Sequence, residues 1–230
     1  MGFNLVPRIP VESFRIVPDR VFNKSEPHDE HDLEDNCVVE GVTYRLLKFD
    51  FILMNIGDTD FVAGSPKLRP DLFIASGAHG HWHLKNFNTY KLVDSFGKNA
   101  IPSLKQAFCV LDMIPPRGKE EAEARFTNCR NETDIQGISA GWADVYRNTV
   151  PCQYIVLTGA IAKHGENAPL QNVNVQDGEY ILEVETNPIH DQDPFKGKRY
   201  FEEDNYNDNT MKVRLEISGN NVSVIGGMLS

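Results

Sequence analysis

The sequence predicts an all-β fold, a β-sandwich with long loops and little helix. Short apolar runs of strand length recur along the chain, separated by turn signals rich in Gly, Pro, Asn, Asp and Ser. Helical patterning is confined to one short stretch, residues 118–126, Gly-Lys-Glu-Glu-Ala-Glu-Ala-Arg-Phe. With 230 residues and 40% hydrophobic content, the chain can build a normal core. No repeat, low-complexity tract or linker divides it, so it reads as one domain over residues 1–230.

The elements follow in order. Residues 1–22 alternate around Phe14, Ile16 and Val21 and read as an edge segment blunted by proline. Residues 23–36 read as a polar, acidic loop carrying His28 and His31. Val42 to Ile56 is the strongest strand signal, and Asn55-Ile-Gly-Asp a turn after it. Phe61-Val-Ala-Gly is a short strand, and residues 65–71 a loop leading to a histidine-rich strand. After Tyr90 comes strand and hairpin turn through Lys98, then a strand from Leu104 to Leu111. Gln153 to Leu157 and Tyr180 to Val184 read as strands, and Asn187 to Phe201 as a proline-containing loop. Met211 to Ile217 and Val222 to Ile225 form a closing hairpin around Ser218-Gly-Asn-Asn.

The stretch from Ser76 to Tyr90 carries the chemistry. It holds three of the seven histidines, at alternate positions: His79, His81 and His83. On a β-strand that spacing puts all three on one face, with Trp82 and Leu84 on the other. Gly77 and Gly80 let the backbone bend so that the imidazoles can close on one ion. Three neutral imidazoles suit copper or zinc. A tris-histidine site with an open position also describes catalytic zinc, so the spacing indicates a metal more firmly than which metal.

The net charge of −10, from 33 acids against 23 bases, disfavours nucleic acid and favours a cationic partner such as an amine or a Lys-rich surface. No run approaches the roughly 18 apolar residues of a membrane helix. Cys37, Cys109, Cys129 and Cys152 contain no C-x-x-C pair and lie beside no histidine, which argues against a zinc finger. Two disulfides in a secreted protein fit better, and spacing leaves all three pairings open. Residues 1–20 contain no apolar signal-peptide core, so secretion implies a leader outside this chain. Sequons at Asn23, Asn131 and Asn221 lend weak support to secretion.

The histidine stretch continues into Phe87 and Tyr90-Lys-Leu-Val-Asp94, and it resembles the copper-binding signature of the lysyl oxidase family. Three more blocks match in the same order. Lys105-Gln-Ala-Phe-Cys109 resembles the block around the family's cofactor lysine. Gln136-Gly-Ile-Ser-Ala-Gly-Trp-Ala-Asp-Val-Tyr146, followed by Cys152-Gln-Tyr, resembles the block ending in its cofactor tyrosine. Gly178 to Val184 and Glu203 to Asn209 resemble its C-terminal region. The resemblance covers about residues 37–217. Ser76 and Thr89 stand where animal members have histidine, and the cysteines are fewer, as in a microbial or otherwise distant member.

The resemblance implies a secreted, copper-dependent amine oxidase that uses O₂ to convert lysine ε-amines of peptides or proteins, or small primary amines, to aldehydes. Hydrogen peroxide and ammonia are released. No ordinary side chain is an electron sink, so a cofactor must carry the step. In the family it is lysine tyrosylquinone, with Lys105 and Tyr146 here in the roles of amine and ring. Copper would sit on His79, His81 and His83. Asp134 lies near the family's acidic position as candidate base, with Asp144 the alternative. Glu203, Asn205, Asp208 and Asn209 resemble a calcium site, whose oxygen donors suit that ion. The implied disulfides are Cys37–Cys152 and Cys109–Cys129. Two other functions compete: a non-catalytic tris-histidine metal-binding module, and a zinc hydrolase using the same histidines.

Overall fold

The segment Thr210–Ser218 buries Met211, Val213, Leu215 and Ile217 and turns the residues between them outward, the period-two pattern of a strand with one face on a core. The computed structural model describes residues 2–76, 80–97, 99–105, 107–162, 170–191 and 194–226. In chain order its strands begin with β1 (Leu5–Arg8), β2 (Arg15–Val21), β3 (Thr43–Lys48), β4 (Phe51–Asn55) and β5 (Phe61–Gly64). Then come β6 (Phe73–Ser76), β7 (His81–Lys85), β8 (Asn88–Asp94), β9 (Ala100–Pro102), β10 (Ala107–Phe108), β11 (Gln136–Ile138) and β12 (Ala143–Tyr146). The last are β13 (Tyr154–Ala162), β14 (Leu170–Asn174), β15 (Gly178–Thr186), β16 (Thr210–Ser218) and β17 (Asn221–Val224). The fold is all-β, as the sequence predicts.

All strand pairs are antiparallel. The largest sheet has the order β17-β16-β15-β8-β9, and a four-stranded sheet the order β14-β13-β3-β2. These two meet where β13 packs against β8 and β9, and β2 against β17. Smaller sheets, β1-β4-β12, β10-β7-β6 and β11-β5, carry the site region. The N-terminal segment supplies β1 and β2, each at a sheet edge, as expected of a proline-blunted segment. The closing hairpin is β16–β17.

Aromatic packing joins the sheets. Phe49 and Phe51 both meet the fully buried Tyr90 edge-on, at ring-centroid distances of 5.4 and 5.3 Å. Two disulfides brace the loops, Cys37–Cys152 and Cys109–Cys129, the pairing the family resemblance implies.

Several expected elements differ. Residues 118–126 form turns and irregular chain, not a helix: Gly118 has φ +78°, and most of the stretch is exposed. A helix this short needs tertiary support, and here buried Phe126 is held instead by Asp112, which accepts the Arg125 and Phe126 amides. The α-helix among the described residues is α1 (Glu30–Glu34), inside the stretch expected to be loop. Its single turn is held by tertiary bonds: buried Asp32 accepts hydrogen bonds from the Cys152 amide and the Tyr154 hydroxyl. The strong run from Val42 to Ile56 is two strands in two sheets. They part at Asp50, whose carboxylate takes the Asn148 amide at 2.6 Å while its own amide goes to Ser13 Oγ. The strand expected from Leu104 to Leu111 contracts to β10, and β14 has no counterpart among the expected strands. The histidine stretch is likewise not one strand: β6, β7 and β8 divide it, with positive φ at Gly80 and Asn86.

Candidate functional site

Tyr146 is the last residue of β12 and lies opposite Phe51 of β4. Phe51 stacks on its ring at 5.8 Å, and Phe108 of β10 meets it edge-on at 5.2 Å. Asp144, two residues earlier, shares its strand face. The Tyr146 hydroxyl lies 2.6 Å from Asp144 Oδ2 and 3.1 Å from the Cys109 carbonyl oxygen. Both side chains are buried. Burial raises the Asp144 carboxyl to about 7, against the lowering pull of hydrogen bonds from Tyr146, Leu111 and Val145. Burial, then the Asp144 charge, push the Tyr146 phenol well above its ordinary value.

Lys105 reaches the same place from the loop before β10. Its Nζ donates to the Pro151 carbonyl at 3.2 Å, and lies 5.4 Å from the Phe108 ring centroid and 6.0 Å from that of Tyr146. Burial lowers this amine to about 8, partly offset by Asp35, Asp32 and Asp144. The fold thus brings the expected lysine and tyrosine together from different loops and strands.

His81 and His83 stand at alternate positions of β7, and their rings converge: the two Nε2 atoms lie 2.7 Å apart, with the rings at 84°. His83 is buried. That separation is a hydrogen bond between the two rings, and imidazole nitrogens are of the donor type that copper and zinc accept. His79 lies outside the described residues, and among those described no cluster of three His, Cys, Asp or Glu side chains is assembled. The histidine strand is tied to the tyrosine pocket in two ways. Leu84 and Lys85 pair with Phe108 and Ala107 of β10. The Trp82 amide donates to the Cys129 carbonyl at 2.7 Å, and the disulfide partner Cys109 provides the carbonyl beside Tyr146.

Asp134 sits elsewhere. Its carboxylate accepts from the Asn131 amide and side chain in an exposed turn. Asp144 is the carboxylate in contact with Tyr146. Glu203 is braced by the side chains of Asn187 and Asn209 and by the Leu5 amide. Asp208 Oδ2 accepts from Asn4 Nδ2. Three buried oxygens of this cluster, Asn4 Oδ1, Asp208 Oδ1 and Asn209 Oδ1, have no hydrogen-bond partner. Unpartnered buried oxygens beside two carboxylates fit a hard cation such as calcium. Asn205 is set apart, its Oδ1 taking the Asn207 amide within the turn.

Three contributors escape sequence reasoning. Asn4 joins the oxygen cluster from the opposite end of the chain. Phe51 covers Tyr146 from a neighbouring strand. Buried Gln136 bridges Val110 and Trp82, accepting from the first amide and donating to the second carbonyl. Only Gln136 leaves a local signal, a large polar side chain heading an otherwise apolar strand.

Comparison with known proteins gives a family match over residues 25–226, to lysyl oxidase. Lysyl oxidase homolog 4 of Homo sapiens is 26% identical over 198 residues, 82% of this chain and 22% of that protein. Lysyl oxidase homolog 3B of Danio rerio is 28% identical over 181 residues, 78% of this chain and 18% of that protein. Lysyl oxidase homolog 2B of Danio rerio is 27% identical over 209 residues, 86% and 23% respectively. The chain spans about a fifth of the length of these relatives.

Proposed function

Because this chain belongs to the lysyl oxidase family, we propose that it is a copper-dependent amine oxidase that converts lysine ε-amines of peptides or proteins to aldehydes with O₂. The observation that carries the proposal is the approach of Lys105 Nζ to within 6.0 Å of the centroid of the buried Tyr146 ring. His81 and His83, with His79, would hold copper, which supplies oxidation of a tyrosine ring by O₂ when bound. A quinone built from Tyr146 and Lys105 would provide the electrophile that ordinary side chains lack.

The remaining work falls to this chain's own groups. Burial leaves a useful fraction of the Lys105 amine neutral near neutral pH, and the neutral amine is the nucleophile. Phe51 and Phe108 hold the Tyr146 ring and exclude water from it. Asp144, rather than Asp134, is the carboxylate placed to exchange a proton with groups on that ring. The Glu203, Asp208 and Asn209 cluster, completed by Asn4, would bind calcium structurally. Two disulfides agree with an exported protein.

The test is peroxide release from a lysine peptide by copper-loaded protein. Tyr146→Phe should cut it by at least about a hundredfold while copper content stays at the wild-type level. Mass spectrometry of the loaded wild type should find a Lys105–Tyr146 cross-linked peptide. Full copper-dependent turnover by Tyr146→Phe would remove the cofactor assignment. No turnover and no cross-link in the wild type would leave a metal-binding module.

A further inference from the structure

A phenol has one proton, yet the Tyr146 hydroxyl faces two acceptors, Asp144 Oδ2 at 2.6 Å and the Cys109 carbonyl at 3.1 Å. We propose that Asp144 is a two-state positioning residue, whose carboxyl decides whether the Tyr146 hydroxyl proton points to Asp144 or to Cys109. In the carboxylate state the phenol donates to Oδ2 in a charge-assisted bond, and the Cys109 carbonyl receives at most a minor share. In the acid state Oδ2 carries the proton and donates it to the phenol oxygen. The phenol then donates to Cys109, and these two bonds, both at the phenol, leave none of the three groups unpartnered. No atom is gained or lost between the states except the proton that Asp144 exchanges with solvent.

The surroundings allow both states. Oδ1 accepts the Val145 amide at 2.8 Å in either one, and Oδ2 takes only a long contact of 3.3 Å from the Leu111 amide. The charged and titratable groups facing Asp144 come from each neighbouring element. Tyr146 is on its own strand, Tyr90 on β8, Lys105 on the loop before β10, and Asp112 on the loop after it. The Lys105 ammonium favours the carboxylate, while Asp112 and burial favour the acid. Asp112 is itself saturated by the Ser139 amide and hydroxyl and by the Arg125 and Phe126 amides, so it is a fixed neighbour. These opposed influences leave the Asp144 carboxyl at about 7. Only the carboxylate can accept the phenol proton outright; a peptide carbonyl cannot. Chemistry that removes that proton is therefore favoured above the midpoint. This last consequence rests on the cofactor role proposed for Tyr146, whereas the two states themselves do not.

The experiment uses the full chain without added metal, from about pH 5 to about pH 9. Infrared difference spectra, wild type minus Asp144→Asn, should contain a carboxylic acid stretch that disappears with a midpoint near 7. The tyrosine Fermi-doublet ratio in ultraviolet resonance Raman, wild type minus Tyr146→Phe, should shift with the same midpoint as the hydroxyl changes partner. Tyr146→Phe also serves if Asp144→Asn does not fold: losing the phenol's bond to the carboxylate should move the carboxyl midpoint upward. An Asp144 carboxyl ionised over the whole range, or a doublet ratio that ignores pH, overturns the proposal. The rate of cross-link formation on adding copper separates this outcome from that of the cofactor assignment. In wild type it should rise through pH 7, and in Asp144→Asn it should be lower and rise only as the Lys105 amine loses its proton near 8. Equal rates with the same pH profile in both would overturn the positioning role and leave the cofactor assignment standing. A titrating carboxyl without any cross-link would do the reverse.

Discussion

At the residue scale, the site concentrates groups whose ordinary protonation is shifted by burial. Asp144 illustrates the cost. Its carboxyl titrates at about 7 in the fold, against 3.8 for an unperturbed aspartate. Below the lower value both folded and unfolded chains hold the proton, and the stability contribution is fully present. Between the two values the folded chain keeps a proton that the unfolded chain has released, so stability falls as pH rises, by up to about 1.4 kcal/mol per pH unit. Above the folded value the loss is complete and the curve levels off. Asp144→Asn removes the titration, so its stability should gain on that of the wild type as pH rises through this window. Urea denaturation at a series of pH values measures it. Parallel curves would mean that Asp144 ionises as freely in the fold as in the unfolded chain.

At the element scale, β13 is shaped by one residue. Gly159 has φ +139°, next to the register shift between Val156 and Thr158 where β13 pairs with β3. A Cβ here would run into the Tyr44 ring, which cannot yield. Tyr44 is fully buried, edge-on to Phe22, and its hydroxyl donates to the Ala160 carbonyl at 2.9 Å. Gly159→Ala combines overpacking with an unfavourable backbone region and should cost at least about 2 kcal/mol. Chemical denaturation reads this directly; a loss below half that figure would show that β13 can shift to admit a methyl group. The same strand supplies Tyr154, which with Cys152 anchors Asp32 of α1. One bulge thus reaches the helical turn on the far side of the disulfide.

Across the whole molecule, the two disulfides have different reach. Cys37–Cys152 spans 115 positions and Cys109–Cys129 spans 20. On the loop-entropy model the first restricts the unfolded chain by about 5 kcal/mol and the second by about 3 kcal/mol. Paired Cys→Ser replacements should therefore differ, with Cys37/Cys152 the more destabilising by melting temperature. Their functional effects should run in the opposite order. Removing Cys109–Cys129 severs a covalent link between the Tyr146 hydroxyl's carbonyl partner and the carbonyl that holds Trp82 between the two histidines. That replacement should slow cross-link formation more than its stability loss explains. Equal rates in the two double variants would assign the shorter disulfide a stability role alone.

Residue type and spacing by themselves carried the all-β class, the closing hairpin, the short strand Phe61–Gly64 and the alternation of His81 with His83. These follow from local chemistry: period-two burial, turn residues and imidazole spacing are all visible within a few positions. Ordered family blocks carried the cysteine pairing, and they singled out Lys105 and Tyr146, whose Nζ and ring centroid the fold sets 6.0 Å apart. Other features were decided by the tertiary structure. The helix-prone stretch 118–126 stays irregular because Asp112 claims the Arg125 and Phe126 amides and the exposed residues before them have no face to bury, while Glu30–Glu34 turns helical because Asp32 finds buried donors. Val42–Ile56 breaks at Asp50, a lone turn-type residue between two phenylalanines, because Asn148 and Ser13 claim it from other segments. Asn4 reaches Asp208 across the length of the chain. The distinction between Asp134 and Asp144 is of the same kind. Both are aspartates near the expected position, and only the pairing of β12 with β4 buries one against Tyr146 while the other caps an exposed turn. Desolvation and long-range partners depend on which segments meet, and no local window of sequence contains that information.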